Sequence, residues 1–226
     1  MFKVLTRVVA DAAVVAIALF VAAGTIAWQR AWVLVAVMLV VRTVSAIAIF
    51  RVNPALLRER ATVLSHPHQP RTDRLILFAF MTTAFIGVPA VAARDAFHWH
   101  LLPILPLGVA GMGLGLFASG WAIIAVALRV NQFAVTVVRH QHDRQQTVVD
   151  TGIYSVIRHP MYAANVMVNV GLGLWLGSVA AVLFAAIPLA LLLVRIGLEE
   201  RFLRRELPGC IEYTARVRYR LLPGLW

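Results

Sequence analysis

The side chains best suited to chemistry lie in two polar stretches within the last hundred residues. The first, residues 131–162, reads NQFAVTVVRHQHDRQQTVVDTGIYSVIRHPMY. Pro160 fits the first turn of a helix, where a missing N–H costs nothing. Arg158 and His159 then sit beside the positive end of that helix, a place suited to a carboxylate or a phosphate. Asp150-Thr151-Gly152 is turn chemistry, and Thr147-Val148-Val149 before it reads as a short extended piece. The second stretch, residues 195–226, reads RIGLEERFLRRELPGCIEYTARVRYRLLPGLW. Arg195 and Glu199 are four apart and share a helix face. Glu199-Glu200 is an acidic pair among arginines, and one such carboxylate can accept two hydrogen bonds from a vicinal diol such as that of ribose. Plainer descriptions fit each stretch taken singly. The first also reads as a basic loop against lipid headgroups. The second reads as an amphipathic surface helix whose exposed ion pairs contribute at most about 1 kcal/mol each.

Composition dictates the elements that must position these groups. The chain has 226 residues, 61% of them apolar, and a mean hydropathy of +0.83. A water-soluble domain is roughly half apolar, so the excess points to lipid as the solvent. The net charge of +11 is almost all arginine, Lys3 being the only lysine. The arginines fall between hydrophobic blocks and form no dense stripe, so anionic headgroups, not nucleic acid, are the expected counter-charge. A single cysteine, Cys210, excludes an intrachain disulfide and a multi-cysteine metal site. His66 and His68 have no third ligand nearby, and no metal site is expected.

A bilayer core needs about 20 helical residues to cross. Val8–Ala27, Ala31–Phe50, Leu75–Ala93 and Ile104–Val130 are four such blocks. The block Met161–Ile196 is too long for one span and is broken by Gly171, Gly173, Gly177 and Ser178, which reads as a tight helical hairpin. Lys3 and Arg7 before an apolar run resemble a secretory signal, but Trp28–Trp32 leads straight into the second block, as in a retained hairpin. With the N-terminus inside, the inner segments hold 18 of the 21 positive residues, which puts both termini on the cytoplasmic side. Asp11 and Arg42 are charges at bilayer depth, where ions are costly and usually paired or functional. They are close enough to their inner helix ends to meet across the first hairpin.

The pattern T-G-x-Y-x-x-x-R-H-P-x-Y, a helical hairpin, E-E-x-x-L and Y-x-x-x-V resembles the isoprenylcysteine carboxyl methyltransferase family. It is carried by Thr151, Gly152, Tyr154, Arg158, His159, Pro160, Tyr162, Glu199, Glu200, Leu203, Tyr213 and Val217. Membrane phospholipid methyltransferases are similar over the same region, about residues 130–226. The resemblance implies S-adenosylmethionine as cofactor, enclosed by the last helices and the C-terminal segment. By matching position it implies a pocket lined by Arg139, Gln146, Thr147, Val148, Val149, Tyr154, Arg158, His159, Pro160, Met161 and Tyr162, with Glu199 and Glu200. Glu199 would meet the cofactor and Arg195 would face the methyl acceptor. Two departures stand near the pocket lid. Cys210 occupies the place of a usual tyrosine, and Val217 is not followed by the usual proline.

The expected fold is therefore all-α: a polytopic membrane helix bundle of five to six transmembrane helices with a cytoplasmic C-terminal helical cap. Residues 1–130 form an N-terminal membrane region and residues 131–226 a cofactor-binding catalytic region. The expected partners are membrane lipids and a lipophilic small-molecule or prenylated substrate, with no nucleic acid. A gap between the fourth span and the terminal hairpin is the expected access route. The resemblance implies carboxyl O-methylation of an isoprenylcysteine-like or isoprenoid acid, or alternatively methylation of a phospholipid amine. A sterol-type NADPH reductase and a non-catalytic membrane scaffold are the competing classes.

Overall fold

The computed structural model describes residues 1–61, 69–101, 103, 105–135 and 145–226, and among these residues the chain is helical without a strand. Helix α1 spans Phe2–Ala23 and stops at Gly24, whose left-handed φ of 71° lets its N–H return to the Phe20 carbonyl. Helix α2 spans Gln29–Val52. Asn53 then accepts the N–H of Leu56 on its side-chain oxygen and starts the short α3, Pro54–Ala61. Helix α4 runs Arg71–Trp99 with π-turns at Thr83–Gly87 and Asp95–Trp99, and α5 runs Leu107–Val130. A 3-10 turn, Gly152–Ser155, precedes α6, Pro160–Trp175. Helices α7, Val179–Phe184, and α8, Ala186–Glu206, form one rod with a break at Ala185. A last short helix, α9, spans Cys210–Arg216.

Among the described residues five helical runs are long and apolar enough to cross a membrane: α1, α2, α4, α5 and the α7–α8 rod. Their outward residues are large and apolar, as at Ile17, Val21, Val40, Phe78, Met112 and Leu183. Such faces are stable only against lipid. The hairpin expected over 161–196 is present, but its first arm differs from a span. Helix α6 has 16 residues, about 24 Å of helix, and half of it is buried within the protein. The turn between its arms uses Gly177 at a left-handed φ of 79°. Ser178 next to it accepts the N–H of Ala181 at 3.0 Å and donates to Asp95 at 2.6 Å, which ties the hairpin tip to the end of α4.

Helix α6 packs chiefly along α5, and missing side chains set how closely. A Cβ on Gly171 would lie 2.5 Å from the backbone nitrogen of Phe117 and 2.7 Å from the carbonyl oxygen of Gly113. A Cβ on Gly113 would meet Leu174 and Trp175 at 2.5 and 2.6 Å. In lipid, where no hydrophobic effect draws helices together, such close backbone contact is the main source of association. The fourth span and the terminal hairpin are thus in tight contact, and the gap expected between them is closed. Asp11 and Arg42 do meet across the first hairpin, at 2.6 Å.

Adding a methyl group at Gly171 should cost about 1–3 kcal/mol by overpacking. At 2–4 °C per kcal/mol for a chain of this size, Gly171→Ala should lower the melting temperature of the detergent-solubilised protein by about 2–12 °C. Gly111→Ala, where a Cβ meets nothing within 4 Å, should leave it unchanged.

Candidate functional site

The tail folds back onto the start of α6, and one carboxylate holds the junction. Glu200 of α8 is buried, yet it accepts from Arg158 Nε at 2.8 Å, faces His159 Nε2 at 3.1 Å and accepts from Arg220 Nε at 3.2 Å. Arg158 spends its other donors on the end of α9. Its Nη1 reaches the carbonyls of Val217, Arg218 and Thr214 at 2.8, 3.2 and 3.3 Å. The backbone N–H groups of Arg158 and His159 donate to Tyr219 and Arg220 carbonyls, both at 2.9 Å. The anion expected beside the N-terminus of α6 is therefore the protein's own Glu200, and the neighbouring backbone donors serve the tail. Tyr213 of α9 donates to the Tyr154 carbonyl at 2.8 Å. Burial pushes the Tyr213 hydroxyl up to about 12 and raises that of Tyr154 further, so both stay neutral.

The two adjacent carboxylates diverge. Glu199 turns to the other side of the helix and accepts from Tyr162 Oη at 2.6 Å. The Tyr162 ring stacks on His159 at 5.4 Å with an interplanar angle of 1°. The Arg195 guanidinium lies 5.8 Å from the Tyr162 ring centroid, and its Nε donates to Asp73 of α4 at 2.9 Å. The other oxygen of Asp73 accepts from Gln69 at 2.8 Å. A buried cation is tolerable only with such a counter-charge, and Asp73 supplies it from a distant part of the chain.

These groups form one end of a cavity of about 500 Å³, in the range that holds small ligands. Gln146, Thr147, Val148, Val149, Tyr154, Arg158, His159, Pro160, Met161, Tyr162, Arg195, Glu199 and Glu200 all line it. Arg139 lies outside the described residues, as do His66 and His68. Apolar side chains from α4 and α5, including Leu77, Phe80, Met81, Phe85 and Leu128, continue the wall away from this polar end. Val4, Leu57, Leu77, Asn131, His159 and Leu207, from six separate segments, line the same cavity.

Residues 109–208 match the phospholipid methyltransferase family. That family includes the isoprenylcysteine carboxyl methyltransferases. The match covers just under half of the chain, from α5 through α8, and takes in the Arg158–Tyr162 and Glu199–Glu200 motifs. A relative, the cobalt-zinc-cadmium resistance protein CzcN of Cupriavidus metallidurans, is 31% identical over 120 residues, which is 53% of this chain. The chain thus spans about half the length of that relative, 49%. Among the described residues no three His, Cys, Asp or Glu side chains cluster as metal ligands.

Sequence reasoning missed Asp73, Arg60 and Arg220. Asp73 carried a signal, an acid in the first turn of a helix at a membrane edge rich in arginine, but nothing local names Arg195 as its partner. Arg60 of α3 lines the cavity and donates to the Ala134 carbonyl. Burial first, then nearby Arg195 and Arg42, lower it to about 10, which leaves it charged at neutral pH. Removing one member of a buried ion pair costs about 3–5 kcal/mol. Arg158→Ala should therefore release the tail, and trypsin should cut at Arg218 and Arg220 well before it cuts the bundle, whereas the wild-type tail should be protected.

Proposed function

We propose that this chain is an S-adenosylmethionine-dependent methyltransferase of the membrane, with both termini in the cytoplasm, as in a bacterial cytoplasmic membrane. The favoured reaction is carboxyl O-methylation of an isoprenylcysteine-like or isoprenoid acid. The observation that carries the reading is the meeting of Tyr154, His159, Tyr162 and Glu199 in one chamber whose wall continues as apolar helix surface. A nucleoside-bearing cofactor and a lipid tail need such a pair of adjoining environments.

The residues present fit the cofactor. Val148 and Val149 offer apolar cover for a purine, and the faces of Tyr154 and Tyr162 suit a sulfonium cation. Glu199, held from one side by Tyr162, keeps its second oxygen for a diol or an ammonium group. The cofactor supplies an electrophilic methyl group. Residues 131–226 provide most of its pocket, and α3 and α4 from the first 130 residues wall the acceptor side. Arg195, steadied by Asp73, faces the acceptor. A carboxylate acceptor is already a nucleophile, so the chain needs no general base. Its contribution is alignment and the exclusion of water, which together supply several kcal/mol.

The family match also favours a phospholipid amine as acceptor. The charge of the cavity opposes it: Arg7, Arg42, Arg60, Arg158 and Arg195 line the wall against Asp11, Glu199 and Glu200. A positive lining attracts a carboxylate and repels an ammonium group.

Thermal stability of the solubilised protein tests the reading. S-adenosylmethionine or S-adenosylhomocysteine at a hundred times its dissociation constant should add about 2.7 kcal/mol, and NADPH should add nothing. Glu199→Ala should abolish the adenosyl shift while the unliganded protein still melts cooperatively. A shift with NADPH alone would replace methyl transfer by reduction.

A further inference from the structure

The first two helices carry a charged cluster that lies outside the proposed cofactor end of the cavity. Asp11 of α1 accepts from Arg7 at 2.8 Å and from Arg42 of α2 at 2.6 Å. The Arg42 guanidinium lies 4.6 Å from the ring centroid of Trp121 on α5. Arg42 is ten residues from the end of α2 at Val52, about 15 Å along the axis, and therefore at hydrocarbon depth. Two arginines share one carboxylate, so the cluster carries a net positive charge, and Arg42 is the member placed where charge is costly.

Its hydrogen bonding is incomplete in the same sense. Arg42 Nη1 and Trp121 Nε1 are buried without a partner among the described residues, and Trp121 as a whole is 9% exposed. Guanidinium and indole N–H groups only donate. The group missing from both is therefore an acceptor, and the group missing from the charge balance is an anion. Arg7, Asp11, Arg42 and Trp121 all line the large cavity.

The cavity also reaches the protein surface near this cluster. Val14 of α1 and Phe78 and Ile86 of α4 line it and are at the same time exposed, at 40%, 61% and 45%. These residues face lipid, so the opening is lateral, between α1 and α4. We propose that the cluster is an oxyanion subsite for an acidic amphiphile that enters from the bilayer between α1 and α4. Its carboxylate or phosphate meets Arg42 and Trp121, and its chain lies along Val8, Phe85 and Ile124. The apolar approach at membrane depth selects an amphiphile over a small free anion. The subsite stands whether or not a methyl group is transferred.

Oleate and oleyl alcohol, which differ in the acid group, test the subsite with the full chain in a neutral detergent at pH 8. Tryptophan fluorescence gives each affinity. Oleate should bind about tenfold tighter than oleyl alcohol. Arg42→Gln should bring the ratio to about one, and Arg7 remains to neutralise Asp11 in that variant. Trp121→Phe keeps the ring beside Arg42 and removes one donor, and it should narrow the ratio by itself. Equal affinities in the wild type would overturn the proposal. So would a preference that survives Arg42→Gln, or, if that variant does not fold, one undiminished in Trp121→Phe. Saturable, Arg42-dependent binding of acetate alone would also overturn it. The adenosyl thermal shift, followed in the same variants, should persist, so failure here is distinguishable from failure of the methyltransferase reading.

Discussion

A carboxylate shut away from water either takes up a proton or gathers cations and donors around itself. Glu200 does the second. Arg158 and His159 come to it from the start of α6 and Arg220 from the tail, so one charge joins three segments far apart in the chain. Arg158 in turn collects carbonyls at the end of α9, groups that a helix end leaves without partners. Each bond shields the others from water and strengthens them. The polar end of the cavity exists because this knot closes it. With Glu200 committed to the knot, its neighbour Glu199 is turned toward Tyr162 and the open space.

Lipid as solvent explains the opposite character of the rest. Five apolar runs supply the bundle, and the short α6 can be buried among them only because glycines on it and on α5 let the two backbones touch. That close seam also decides where the cavity can open. It is sealed on the α5–α6 side and reaches lipid between α1 and α4 instead.

The family match ends at residue 208 and begins at 109, and this division has a physical counterpart. The proposed cofactor end is built largely from the matched region. Much of the apolar wall, with Arg42, Arg60, Leu77 and Phe80, comes from residues before it. In the proposed function the first set would hold the cofactor and the second the acceptor. The match therefore carries the kind of chemistry further than it carries the acceptor.

Much of this architecture was legible in the residues themselves. Hydropathy located the membrane helices, because a span must satisfy its own backbone and cover itself with apolar side chains whatever its neighbours are. It did not locate their ends, which lie up to six residues away in α1 and α4 and ten residues further on in α8. The motif around Arg158-His159-Pro160 and the Glu199-Glu200 pair named the residues that line the polar end of the cavity. Local pattern did not reveal that Arg158 and His159 hold Glu200, that Arg195 is neutralised by Asp73 122 positions away, or that α6 is too short to be an ordinary span. Those outcomes depend on which side chains meet after packing. A charge in the sequence carries its sign but not its partner, so the pairs and the opening to lipid were decided only by the tertiary structure.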